Sequence, residues 1–114
     1  MNLNPKTVGD VLILQPSEKI TMANCEQLRD QFLEYVKKGR RKLALDLSHV
    51  DYMDSAGLAA LVEIVKIGLS DHLRLRFFAI QSQVRSLMEV AHLHDVFPLA
   101  ESEAEALEAL QKDA

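Results

Sequence analysis

Three apolar runs of strand length are set apart by helical segments, and that spacing leaves few folds open. The runs are residues 11–14 (Val-Leu-Ile-Leu), 42–48 and 73–80. Between the first two, Cys25, Leu28, Phe32, Tyr35 and Val36 recur at helical spacing and predict a helix from about Met22 to Lys38. Between the second and third, Leu58, Leu61, Val62 and Val65 predict a helix from about Ser55 to Gly68. Strands joined by helical crossovers pair in parallel with right-handed connections. Gly9-Asp10 reads as a turn, which makes residues 3–8 a first edge strand. Val84, Leu87, Met88 and Ala91 predict a third helix, Val96-Phe97 a last short strand ended by Pro98, and Glu101 to Lys112 a final helix with Ala104, Leu107 and Leu110 inward. The expected fold is α/β: a small mixed sheet of about five strands with about four helices packed over it.

At 114 residues the chain fits a single domain, residues 1–114. No apolar run approaches the ~20 residues that span a bilayer, and the start of the chain lacks the pattern of a signal peptide. One cysteine, Cys25, allows no internal disulfide. These features predict a cytoplasmic protein away from the membrane. The net charge is −4, which makes direct nucleic-acid binding a poor expectation, since that affinity comes from Lys and Arg displacing counterions. The basic run Lys37-Lys38-Gly39-Arg40-Arg41-Lys42 reads as a helix end, with cations at the negative pole and Gly39 past it.

The chemistry concentrates where the 42–48 strand meets the second helix, in Asp46-Leu47-Ser48-His49-Val50-Asp51-Tyr52-Met53-Asp54-Ser55-Ala56-Gly57-Leu58. In parallel sheets functional sites gather at the carboxyl ends of strands. A serine nucleophile here would want a Gly-x-Ser-x-Gly elbow, and Met53-Asp54-Ser55-Ala56-Gly57 lacks the first glycine. Asp54 or Ser55 suits a helix N-cap. Ser55 also suits a switch: phosphoserine carries roughly −1.5 to −2 charges, which a helix start tolerates and a docked partner would not. The helix that follows is apolar nearly all round, with Glu63 and Lys66 its only charges, so it is either fully buried or keeps a face for a partner.

The same thirteen residues resemble the signature of STAS domains, the sulphate-transporter and anti-sigma-factor-antagonist family. The chain is most similar to the stand-alone bacterial antagonists, over nearly its whole length. The resemblance implies a partner switch in transcription regulation and signal transduction, with no catalytic residue, cofactor or metal of the chain's own. In that family the serine matching Ser55 is phosphorylated by an anti-sigma factor that is also a serine kinase using ATP. The unphosphorylated antagonist binds that kinase and frees the sigma factor. A PP2C-type phosphatase removes the phosphate. The carry-over makes Ser55 the phosphorylation site and Met53, Asp54, Ser55, Ala56, Gly57, Ala59, Ala60 and Glu63 the partner-binding surface of a monomer or weak dimer. Close helix packing is a competing role for Gly57. Two departures stand out. Ala56 replaces a frequent Ser or Thr, and Thr21 stands where many members carry Asp, which bears on contacts from that loop. The alternative from a different class is an adaptor subunit of a larger signalling or transport complex, with no phosphate switch.

Other signals are weaker. His92 and His94 are two apart, which turns them to different faces of a helix and away from a shared zinc. Asp46, Asp51 and Asp54 suggest an aspartate-phosphorylated receiver, but residues 15–21 lack the acidic pair that such a site needs for Mg²⁺. Glu101, Glu103, Glu105 and Glu108 read as a solvated helix face.

Overall fold

A computed structural model describes residues 1–112. One five-stranded sheet carries β1 (Lys6–Val8), β2 (Val11–Leu14), β3 (Lys42–Asp46), β4 (Arg74–Phe78) and β5 (Leu99–Ala100), in that spatial order. β1 pairs antiparallel with β2 through a turn in which Gly9 adopts φ +62°. The remaining neighbours are parallel. The crossovers are α1 (Cys25–Lys37), α2 (Ser55–Ser70) and α3 (Ser82–Val90), and α4 (Glu103–Gln111) closes the chain.

Both faces of the sheet are covered, which is why β2 reads as a continuous apolar run rather than an alternation. Leu12, Leu14, Leu43, Leu45, Leu75 and Phe77 pack into the core that Leu28, Phe32, Leu61, Ile64 and Met88 build from α1, α2 and α3. Val11, Ile13, Ala44 and Phe78 face the other way, onto Ala106 and Leu110 of α4. No helix among the described residues is long and apolar enough to cross a membrane.

Several boundaries differ from the expectation. α1 starts at Cys25, not Met22, because Asn24 at φ −136° departs from helical geometry and residues 22–24 are a separate turn. β3 ends at Asp46, whose carboxylate accepts the Ser48 N–H at 2.9 Å and turns the chain. The last strand is Leu99–Ala100 rather than Val96-Phe97. Val96 lies in a turn closed by its N–H to the Leu93 carbonyl, and Phe97 is a core residue, edge-on to Phe77 with ring centroids 5.4 Å apart. α4 starts at Glu103 because Ser102 caps it, and it buries Ala106 and Leu110 while Ala104 is exposed. Gly39 does end α1, at φ +98°. His92 has φ +57° just after α3, where the Leu93 N–H reaches back to the Met88 carbonyl, so it serves as a left-handed helix terminator.

Candidate functional site

The start of α2 lies beyond the carboxyl end of β3, and three segments hold it there. Ile20 and Met53 form an isolated parallel bridge. The Ile20 N–H donates to the Tyr52 carbonyl at 3.2 Å, and the Asp54 N–H donates to the Ile20 carbonyl at 3.3 Å. From α3, the Gln83 amide takes both main-chain groups of Met53: Oε1 accepts its N–H at 2.8 Å and Nε2 donates to its carbonyl at 2.9 Å. Asn24 organises the 19–24 turn by accepting the Thr21 N–H at 3.0 Å and donating to the Lys19 carbonyl at 2.7 Å.

Asp54 is the N-cap of α2. One carboxylate oxygen accepts the Gly57 N–H at 2.8 Å, and the other accepts the Met22 N–H at 3.0 Å. Together these bonds tie the helix start to the turn before α1. The Gly57 and Met22 amides, in that order of effect, hold the Asp54 carboxyl below the usual carboxylate range, so it is ionised at neutral pH. Asp54 thus fills the capping role that the sequence left open between it and Ser55.

Ser55 is the first residue of α2 and is exposed. Its surroundings mix acid and apolar groups. Asp51 pairs with Lys19 at 3.1 Å, and the Lys19 ammonium lies 5.7 Å from the centre of the Tyr52 ring. Met22 is 79% exposed and Tyr52 42%, both in the loops that frame the helix start. Along the seam between α1 and α2, Cys25, Arg29, Ala56, Ala59 and Glu63 line a shallow groove, bridged by the Arg29–Glu63 ion pair at 3.2 Å.

The expected docking residues therefore divide. Ser55, Ala59 and Glu63 are exposed, and Asp54 and Ala56 are half-buried. Met53 and Gly57 are buried and offer no free surface, while Ala60 is largely buried but lines the groove between α1 and α2. Met53 plugs the core, and Gly57 lies against the Ile20 main chain. Sequence reasoning missed Met22, Asn24 and Gln83. Met22 looked like part of α1. Gln83 and Asn24 act through hydrogen bonds to main chain distant in sequence, which carry no periodic signal.

Two consequences are measurable. Gln83→Ala leaves the Met53 N–H and carbonyl without partners in a part-buried loop, an expected loss of about 1–3 kcal/mol in a urea unfolding titration. Asp54 adds a pH-dependent part to stability. Its folded pKa lies below the unfolded value, so its contribution is fully present above about pH 4 and is lost as pH falls through the folded value. Asp54→Asn should be less stable than wild type at neutral pH, and the two should converge in acid melts below that window.

A family model described as STAS domain matches residues 2–106. The Bordetella bronchiseptica protein BtrV, which carries the designation anti-sigma factor antagonist, is 30% identical over 111 residues, covering 97% of this chain and 96% of that protein. A Thermotoga neapolitana protein of the same designation is 32% identical over 110 residues, covering 93% and 95%. A Thermotoga maritima crystal structure, again of that designation, superposes with a TM-score of 0.88 at 26% identity, covering 96% of this chain and 95% of that one.

Proposed function

Because this chain belongs to the STAS domain family, we propose that it is a binding protein, an anti-sigma factor antagonist switched at Ser55. The designations of its relatives support the general role. The observation that carries the switch is the division of labour at the start of α2: Asp54 makes the capping bonds, and Ser55 stands exposed beside it. A constitutive adaptor would leave Ser55 little to do beyond capping, and Asp54 already holds that position.

In the unmodified state the face formed by Met22, Tyr52, Ser55, Ala59 and Glu63 docks on an anti-sigma factor that is also a serine kinase. Docking displaces the sigma factor. In the transfer step the Ser55 Oγ attacks the γ-phosphorus of ATP held by the kinase. The new bond is Oγ–P, the bond to the ADP oxygen breaks, and the hydroxyl proton leaves to a base of the kinase. A PP2C-type phosphatase reverses the state by hydrolysing the phosphoester. The antagonist acts in the cytoplasm as a monomer or weak dimer and contributes no catalytic group.

The phosphate acts by charge. Asp54 is already ionised, and its carboxylate occupies the Gly57 amide that a phosphate on the next residue would otherwise seek. The dianion therefore projects into the docking face next to two existing carboxylates, Asp51 and Asp54, with Lys19 already engaged by Asp51. Burying it there without a partner is costly. The test is to incubate the protein with native lysate and ATP and map the phosphopeptides. Phosphate on Ser55 that a PP2C-type phosphatase removes is the expected result. Equal labelling of a Ser55→Ala variant would overturn the assignment.

A further inference from the structure

β5 is only two residues long, and this leaves residues 74–76 of β4 without a neighbour on the side away from β3. β5 pairs with Phe77 and Phe78 alone. The main-chain bonds show which way each β4 residue faces. The Arg74 N–H donates to the Arg41 carbonyl and the Phe78 carbonyl accepts the Leu47 N–H, so Arg74, Arg76 and Phe78 bond toward β3. The Phe77 N–H donates to the Pro98 carbonyl, on the β5 side. In a parallel ladder this orientation alternates, so the N–H and carbonyl of Leu75 point out of the sheet at the uncovered edge. The carbonyl is met by the Nη1 of the adjacent Arg76 at 2.8 Å.

The chain that could have covered this edge turns away. Residues 94–96 form a turn, and Phe97 dives into the core. The gap is a cleft of about 290 Å³ between the last turns of α2 and the β4 edge, walled by Val65, Leu69, Leu73, Val96 and Pro98, with Arg74 and Arg76 along the strand edge also lining it. Leu69 is 75% exposed and Val96 43%. The two sides of the edge differ. Leu75 belongs to the apolar core on the α2 side, whereas Arg74 reaches the opposite side, where it donates to the Ala109 carbonyl of α4.

We propose that this edge is a second docking site, which takes an extended partner segment alternating apolar and acidic residues. Such a strand would bond to Leu75 in place of the Arg76 side chain. Its residues on the α2 side would enter the apolar cleft. Those on the α4 side would lie beside Arg74 and Arg76, where opposite charges across a strand pair stabilise and like charges oppose. The same rule disfavours a second copy as the occupant: two β4 edges would bring arginines together, and the β1 edge presents Lys6. The site is separate from Ser55. Thirteen helical residues, at 1.5 Å each, put Gly68 roughly 20 Å along α2 from Ser55, beyond the screening length of about 8 Å in physiological salt. A partner held here would stay attached while the Ser55 face releases. The site stands whether or not Ser55 is a switch.

The test uses the full chain and two fluorescein-labelled peptides, one alternating aspartate with valine and one alternating lysine with valine. Fluorescence anisotropy should show the aspartate peptide binding at least about tenfold more tightly. Amide exchange of Leu75, followed by NMR on the wild-type chain, should slow in its presence. Arg76→Glu, and the milder Arg76→Ala, should weaken the aspartate peptide, while Ser55→Glu should leave it unchanged. Equal binding of the two peptides, no binding of the aspartate peptide, or an unaltered Leu75 amide would each overturn the proposal.

Discussion

Alanine in place of Gly57 is expected to lower stability by about 3 kcal/mol, a fall in melting temperature of roughly 10 °C for a domain of this size. The added methyl would press directly on the Ile20 carbonyl oxygen and stand 2.8 Å from the Met53 Cγ and 2.9 Å from the Ile20 carbonyl carbon. Two of these three neighbours are main chain, which cannot swing aside as a side-chain end can. The Ile20 carbonyl is also the acceptor for the Asp54 N–H. Pushing it back therefore loosens the seam that carries Ser55. Gly68→Ala in the same helix is the control. There the new methyl would find its first neighbour, the Leu75 Cδ2, at 3.4 Å, an ordinary contact. Removing a helix-interior glycine should leave stability unchanged or raise it by up to about 1 kcal/mol. Thermal melts of the two variants separate packing at Gly57 from a general effect of helix glycines.

The second large effect concerns binding. Phosphate at Ser55 should weaken the complex with the anti-sigma kinase about a hundredfold, the equivalent of about 2.8 kcal/mol. Ser55→Glu, with less charge and fewer acceptor oxygens than phosphate, should weaken it in the same direction but less. Ser55→Ala should bind like the unmodified protein. The fold should be indifferent to all three, because Ser55 is exposed and the cap belongs to Asp54. Melting temperatures within a degree or two of wild type would separate a surface effect from partial unfolding.

Much of this arrangement is legible in the residues. Leu43, Leu45 and Leu47 alternate with Ala44 and Asp46, and the structure turns the leucines to the α1–α2 side and Ala44 toward α4. The stripe of Leu58, Leu61 and Val65 sets out α2, which begins at Ser55 as the pattern predicts. Where the reading failed, short local patterns were overridden by tertiary contacts. Val96-Phe97 looks like a strand because both residues are apolar and a proline follows. Phe97 is buried by its ring packing on Phe77 rather than by pairing, and the strand falls after the proline instead. Met22 resembles the first helical residue by spacing, yet its N–H is spent on Asp54, thirty-two positions away. Met53 and Gly57 sit within the signature, but the signature does not say which of its residues face inward. Alternation and helical period identify the core side of an element. They are silent on the loop 47–54, where burial depends on what Ile20 and Gln83 supply from elsewhere.

On the proposed switch, the exposed hydroxyl of Ser55 controls a docking face without controlling the fold. Isothermal titration of the anti-sigma kinase with unmodified protein, and with protein phosphorylated stoichiometrically at Ser55, tests it most directly. Tight binding of the unmodified form and an affinity about a hundredfold weaker for the phosphorylated form, at unchanged melting temperature, is the predicted result. Equal affinity of the two forms would contradict the switch.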